Sequence, residues 1–182
     1  MSRLKDGKHN YINPEYFIHV AEINHTIIQL SRQMFEKTCR FAVDNNIFDR
    51  GINDMNINIS PIQCQDKHLV QDLKKIAAKY GIPFERFHFE ITESRLTDEK
   101  AVRETLTKLK ENGAKIALDD FGTGYSNIAS IMLMPIDFVK IDKSLLWSYA
   151  SGDNEFLNEL MPMIRGEGKK IIAEGIETEE HI

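Results

Sequence analysis

Five apolar runs in this chain end in side chains that a buried strand would not choose. They are Asn58 in MNINIS, Glu90 in FHFEITES, Asp119 with Asp120 in IALDDFGTGYSN, Lys140 in DFVKID and Glu174 in KKIIAEG. Glu93, Asp142 and Glu177 follow closely behind three of them. The intervals from Asn58 to Glu90, Asp119, Lys140 and Glu174 are 32, 29, 21 and 34 residues. Each interval is the length of one strand plus one crossover helix. The acceptors are all oxygens, an amide and several carboxylates, with no histidine or cysteine among them. Oxygen-only sets suit hard cations such as Mg²⁺, Mn²⁺ or Ca²⁺.

Asp119 and Asp120 pose an electrostatic question. Adjacent like charges at the end of an apolar run repel each other and resist burial unless a counter-charge neutralises them. Side chains alternate along a strand, so the two carboxylates are expected to point apart and to serve two neighbouring metals. Paired cations about 3.5–4 Å apart are a common device for phosphodiester cleavage. A lysine beside them can hold the attacking water or neutralise a phosphate oxygen, and a glutamate can take the proton. The glycines in Phe121–Ser126 allow a sharp bend, and Thr123 and Ser126 can bond the ligands or cap a helix.

Each residue alone also has an ordinary explanation. Asn58 could satisfy a turn, Glu90 could be half exposed and Asp120 could be a cap. Lys140 could reach solvent and Glu174 could pair with a lysine. The regular recurrence over five strand ends favours one shared site. A Schiff-base role for Lys140 needs a neutral amine, which surrounding carboxylates oppose.

The elements needed to position these residues are legible. Asn13-Pro14-Glu15 starts a helix in which Phe17, Val20 and Ala21 share a face. A second helix is expected from Thr26 to about Asn45, with Ile27, Leu30, Met34, Phe41 and Ala42 along it. Strands are expected over 55–60, 87–91, 115–120, 137–142 and 169–175. Helices are expected from about Asp66 to Tyr80, from Thr97 to Gly113, over 126–134, and from Asp153 to Gly166, the last kinked or split at Pro162. Thr178 caps a further helix. The alternation implies parallel pairing and an α/β fold. Without a glycine-rich phosphate loop after any strand, a barrel-like arrangement is favoured over a doubly wound one, and strand C-terminal ends then meet at one rim.

With 182 residues the chain has the size of one domain. A net charge of −5 excludes a basic face for bulk nucleic acid. Cys39 and Cys64 have no metal-binding spacing and are expected to be reduced. The polar N-terminus lacks a signal-peptide core, and the longest apolar stretch is broken by Ser130, Pro135 and Asp137, so a cytosolic chain without a membrane segment is expected.

These motifs resemble the EAL domain, a bacterial cyclic-di-GMP phosphodiesterase family. The matching stretches are NINIS (56–60), FEITES (89–94), ALDDFGTGYSN (117–127), DFVKIDKSLL (137–146) and IIAEGIETEEH (171–181), preceded by INPEYFIHVAE (12–22). Asn127 and Ile176 are conservative departures. The resemblance implies a TIM-like (β/α)₈ barrel with one antiparallel strand. It implies hydrolysis of cyclic-di-GMP to pGpG with Mg²⁺ or Mn²⁺ in a two-metal site, with Ca²⁺ inhibitory. Asn58, Glu90 and Asp119 match metal ligands, and Asp120 matches the ligand of the second metal. Lys140 matches the lysine that holds the catalytic water, and Glu174 a glutamate acting as base or near the second metal. Glu93 matches the residue that steadies the DDFGTGYS loop, which the family ties to dimerisation. Arg3 resembles a residue that contacts the ligand phosphate.

On that alignment residues 1–182 form an EAL domain truncated at both ends. The Glu-Ala-Leu motif falls before Arg3 and the last strand beyond Ile182. The expected architecture is therefore a partial, open barrel of about five parallel strands. Its open edges invite pairing, and a homodimer is expected. Little phosphodiesterase activity is expected of this chain alone. The longer protein is expected to be an active enzyme carrying other signalling domains, and a membrane anchor in that longer protein is compatible with this reading. The alternative is a non-catalytic cyclic-di-GMP-binding sensor module. The unneutralised aspartate pair is expected to have raised apparent pKa values.

Overall fold

The structure is a computed structural model and describes residues 4–92, 99–123, 128, 133–152 and 155–178. Contacts divide the chain into two compact units, Met1–Asn53 with Ile62–Phe84, and Asp54–Pro61 with Glu85–Ile182.

The first unit is mainly helical. A short antiparallel hairpin of β1 (Leu4–Lys5) and β2 (Tyr11–Ile12) opens it, which the sequence reading did not anticipate. Asp6 ties its turn by accepting from the N–H groups of Lys8 and Asn10. Helix α1 (Pro14–Ile23) starts as expected, with Asn13 Oδ1 accepting from the Glu15 N–H at 2.9 Å. Helix α2 (Ile27–Asp44) packs against α3 (Leu69–Lys79). The buried stripe of α2 is Ile27, Phe35, Cys39 and Ala42. Phe41 is exposed, because it stands about 100° of helix rotation from Ala42 and about 200° from Cys39. Val20 is likewise exposed, about 100° from the buried Ala21 on α1. Both cysteines are buried thiols, and burial pushes each up to about 12.

The second unit holds five parallel strands side by side in the order β3 (Met55–Asn58), β4 (Phe87–Thr92), β5 (Lys115–Phe121), β6 (Phe138–Ile141) and β7 (Lys170–Ala173). This is the expected open α/β sheet, and among the described residues it does not close into a ring. One face is apolar. Phe87, Phe89, Ile91, Ile116, Leu118, Val139 and Ile141 are all almost completely buried. Helix α4 (Glu99–Glu111) lies against β5, and α6 (Phe156–Gly166) against β7. They bury Val102, Leu106 and Leu109, and Leu157, Leu160 and Ile164. That burial is the main driving force for the layer, at about 25 cal/mol per Å² of apolar surface. With one face so occupied, the alternate residues Glu90 and Lys140 are committed to the other face.

Three expectations need correction or fall elsewhere. Helix α6 runs unbroken through Pro162. The missing N–H removes one helical bond on an exposed side, while the buried stripe holds both halves to the sheet. Helix α5 (Lys143–Ala150) was not foreseen. Asp142 was read as the end of a strand, whereas it is the cap of α5, its Oδ1 accepting from the Ser144 N–H at 2.8 Å. The helices expected over 126–134 and after Thr178, and the start of α4 at Thr97–Asp98, lie largely outside the described residues. No helix among the described residues is long and apolar enough to cross a membrane.

Two glycines differ in what they permit. Gly113 ends α4 at φ +93, and a Cβ there would meet Glu85 only at 3.6 Å. Gly122 follows β5 at φ +103, and a Cβ there would come within 2.5 Å of Leu145 Cδ2. Gly113→Ala is expected to lower stability by about 1 kcal/mol, a purely conformational effect. Gly122→Ala is expected to lower it by more, about 2–3 kcal/mol, because steric overlap adds to the same strain. Urea unfolding of both variants checks the order, and equal midpoints would show that Leu145 yields freely.

Candidate functional site

Lys140 lies on β6, two residues beyond Phe138, which is in register with Ala117 on β5 and Lys170 on β7. Ala117 is in turn opposite Glu90 on β4, and Glu90 opposite Asn58 on β3. Only a methyl group therefore separates Glu90 from β6 in that row. Across it the Lys140 ammonium comes within 3.3 Å of Glu90 Oε1. It donates to Asp119 Oδ1 at 2.6 Å and lies 2.7 Å from Glu174 Oε1. Four strands or strand ends thus meet at one nitrogen, of which only 13% of the side chain is exposed.

Glu174 stands one residue beyond β7, and its N–H donates to the Ile141 carbonyl at 3.1 Å. Glu90 also accepts from Asn56 Nδ2 at 2.9 Å. Asn56 was missed by the sequence reading. Its signal was the two-residue spacing from Asn58, which puts both amides on one face of β3. Asn58 itself is exposed.

The aspartate pair departs from the expected alternation. Leu118 pairs with Val139, and Phe121 with Ile141, so β5 carries one more residue than β6 between these pairs. This is a β-bulge. Asp120 takes it up with a left-handed backbone, φ +54, which aspartate tolerates better than most residues. Leu118 and Phe121 are both buried, and Asp119 and Asp120 lie between them, mostly buried. The two carboxylates do not diverge. Asp119, Asp120 and Glu174 each offer an oxygen, all within 4.8 Å of one another. The expectation that they point apart is corrected for this reason. Glu90 lies outside that trio, held by Asn56 and Lys140. Arg3 and Glu93 lie outside the described residues.

The electrostatics follow from this crowding. Burial pulls the Lys140 ammonium down, yet hydrogen bonds to Asp119 and Glu174 outweigh it and leave its pKa above the usual lysine value. Lys140 is therefore a permanent cation, not an amine nucleophile. Burial first, then Asp119, Asp142 and Glu174, hold the Asp120 carboxyl above the usual range. Glu90 is raised by burial, which the nearby ammonium offsets only in part. One lysine thus faces four carboxylates, an excess of negative charge that further cations would relieve. The all-oxygen donor trio fits a hard divalent ion.

Comparison with known proteins gives a consistent result. The EAL domain family model matches residues 1–182. The chain is 30% identical over 181 residues to the Escherichia coli K12 cyclic di-GMP phosphodiesterase PdeF, covering 98% of this chain and 24% of that protein. It is 30% identical over 182 residues to the bifunctional diguanylate cyclase/cyclic di-GMP phosphodiesterase MucR of Pseudomonas aeruginosa, covering 97% and 26%. The structure of the MucR phosphodiesterase in complex with c-di-GMP superposes with a TM-score of 0.82 at 28% identity, covering 98% of this chain and 74% of that one. The chain spans about a quarter of the length of the curated relatives it matches.

Replacing Lys140 by methionine tests the electrostatic account. Glu90, Asp119 and Glu174 would then face one another without a counter-charge, with an expected loss of about 3 kcal/mol at pH 7. Because the folded pKa of Lys140 is raised, its contribution is complete at neutral pH and fades only in strong alkali. Toward acid, the carboxylates lose their charge, and because Glu90 is held above the usual carboxylate range the gap between wild type and K140M should begin to narrow already above that range. Thermal or urea unfolding across pH measures this, and a gap that is independent of pH would contradict it.

Proposed function

The chain belongs to the EAL domain family, and from that premise we propose that its strand-end cluster hydrolyses cyclic-di-GMP to linear pGpG in bacterial second-messenger signalling. The single observation that carries the reading is the convergence of Glu90, Asp119, Asp120 and Glu174 around Lys140. Relatives named for this activity match almost the whole chain.

In this reading Asp119, Asp120, Glu90 and Asn58 would hold two divalent ions, Mg²⁺ or Mn²⁺, with Glu174 near the second of them, and Ca²⁺ would inhibit. Bound there, such ions supply Lewis acidity toward a phosphate oxygen and make bound water more acidic. The chain's own residues do the rest. Lys140, always charged, holds the attacking water and offsets charge that builds on the phosphate. Glu174, its side chain one-third exposed (33%) and its backbone tied to β6, takes the water's proton. The water oxygen bonds to phosphorus, the bond from phosphorus to the 3′ oxygen breaks, and that oxygen regains a proton. The product is a linear dinucleotide with a 5′ phosphate. Arg3 is assigned to a ligand phosphate and Glu93 to support of the loop after Asp120. The proposal includes a cytoplasmic site, a homodimer and further signalling domains in the longer protein. That β3 and β7 are the outermost strands of the sheet among the described residues supports self-association. The same arrangement supports the expectation that this chain alone turns over little substrate.

Calorimetry and product chromatography test the reading together. Cyclic-di-GMP is expected to bind the 182-residue chain more tightly with Mn²⁺ than with chelator, and Asp119→Asn should remove most of that difference, about tenfold or more in affinity. Linear product distinguishes hydrolysis from a non-catalytic binding module. Binding that is indifferent to Mn²⁺ would sink the two-metal assignment.

A further inference from the structure

Glu174 stands just past β7, where one backbone bond to Ile141 and the ion pair with Lys140 place it. Two contacts to helix α5 secure the backbone that follows it. The Trp147 indole Nε1–H donates to the Gly175 carbonyl at 2.9 Å in a partly buried setting. Gly175 has φ +68, and a Cβ on it would fall 2.5 Å from Lys143 Cβ. The backbone just after Glu174 therefore rests directly on the first turn of α5. The Lys143 ammonium lies 5.4 Å from the Trp147 ring centroid, at cation–π distance. The same helix braces the other side of the site. The Asp142 N–H donates to the Phe121 carbonyl at 3.1 Å, and Gly122 presses against Leu145. The matched DFVKIDKSLL motif stops at Leu146, one residue short of Trp147.

We propose that Trp147 is a positioning residue, which through the Gly175 carbonyl holds Glu174 in the carboxylate trio with Asp119 and Asp120. Loss of the indole N–H frees the 175–176 peptide to rotate. Glu174 then loses both its backbone bond to Ile141 and its place beside Lys140. The metal-related half of this inference rests on the proposed function; the structural half does not.

Two variants divide the side chain's properties. W147F keeps an aromatic ring and loses the donor. W147H keeps a ring N–H, since imidazole Nε2 occupies the same position in its five-membered ring as indole Nε1, and loses the benzene ring. Amide hydrogen exchange on the metal-free chain is the first readout. The Glu174 amide is expected to exchange about tenfold faster in W147F, with W147H close to wild type and the amides inside β4 and β5 unchanged in all three. Equal Glu174 exchange in W147F and wild type overturns the proposal. Mn²⁺ alone is the second probe, with calorimetry expected to show about tenfold weaker binding in W147F and near wild-type binding in W147H. Faster exchange with unchanged Mn²⁺ affinity would also overturn it, leaving Trp147 a merely structural contact. The chain has one tryptophan, so its own emission is a third readout that needs no variant. The emission should change as Mn²⁺ binds, and an unchanged spectrum at calorimetric saturation counts against the proposal. Failure of wild type to bind Mn²⁺ at all would remove the metal assignment of the proposed function, while amide exchange still decides the role of Trp147.

Discussion

The Lys140 ammonium is the constraint on which this site depends. Three carboxylates reach it, from β4, β5 and the end of β7. Such an arrangement needs parallel strands in fixed register, because a one-residue slip would turn Glu90 or Lys140 into the apolar layer. It also needs little bulk between β4 and β6, and Ala117 provides that gap. The apolar face supplies the folding energy and sets the register. The polar face inherits that register and bears the electrostatic strain. Chemistry and stability are thus divided between the two faces of one sheet.

Much of this was legible in the sequence, for identifiable reasons. Glu90, Asp119, Lys140 and Glu174 each follow an apolar run, and the runs recur at crossover length. Periodicity of that kind survives without any knowledge of contacts. What was not legible depended on neighbours. Asn56 looked like ordinary alternation until Glu90 was placed opposite its face. Asp142 read as strand because it continues the run FVKI, and only its bond to Ser144 reveals the cap of α5. Phe41 looked like core because it is large and apolar, yet its angle on α2 points it outward.

The aspartate pair shows the same limit more sharply. Alternation is the right rule for a regular strand, and it predicts divergence. The extra residue in β5 breaks the rule, and nothing in IALDDFGTGYSN announces a bulge, apart from the glycine that follows. The bulge concentrates negative charge where a regular strand would disperse it. Burial then raises Asp120 and Glu90, so both carboxyls hold their protons more tightly than an exposed side chain does.

The left-handed backbone of Asp120 has a consequence for how such domains diversify. Besides glycine, asparagine is the residue most at ease in that conformation, and it differs from aspartate by one amide. An exchange at this position would leave the bulge, the sheet and every fold-level likeness intact while removing one negative charge from the cluster. Descendants of one ancestor that differ at this position would share one backbone and differ in the charge carried at the end of the sheet.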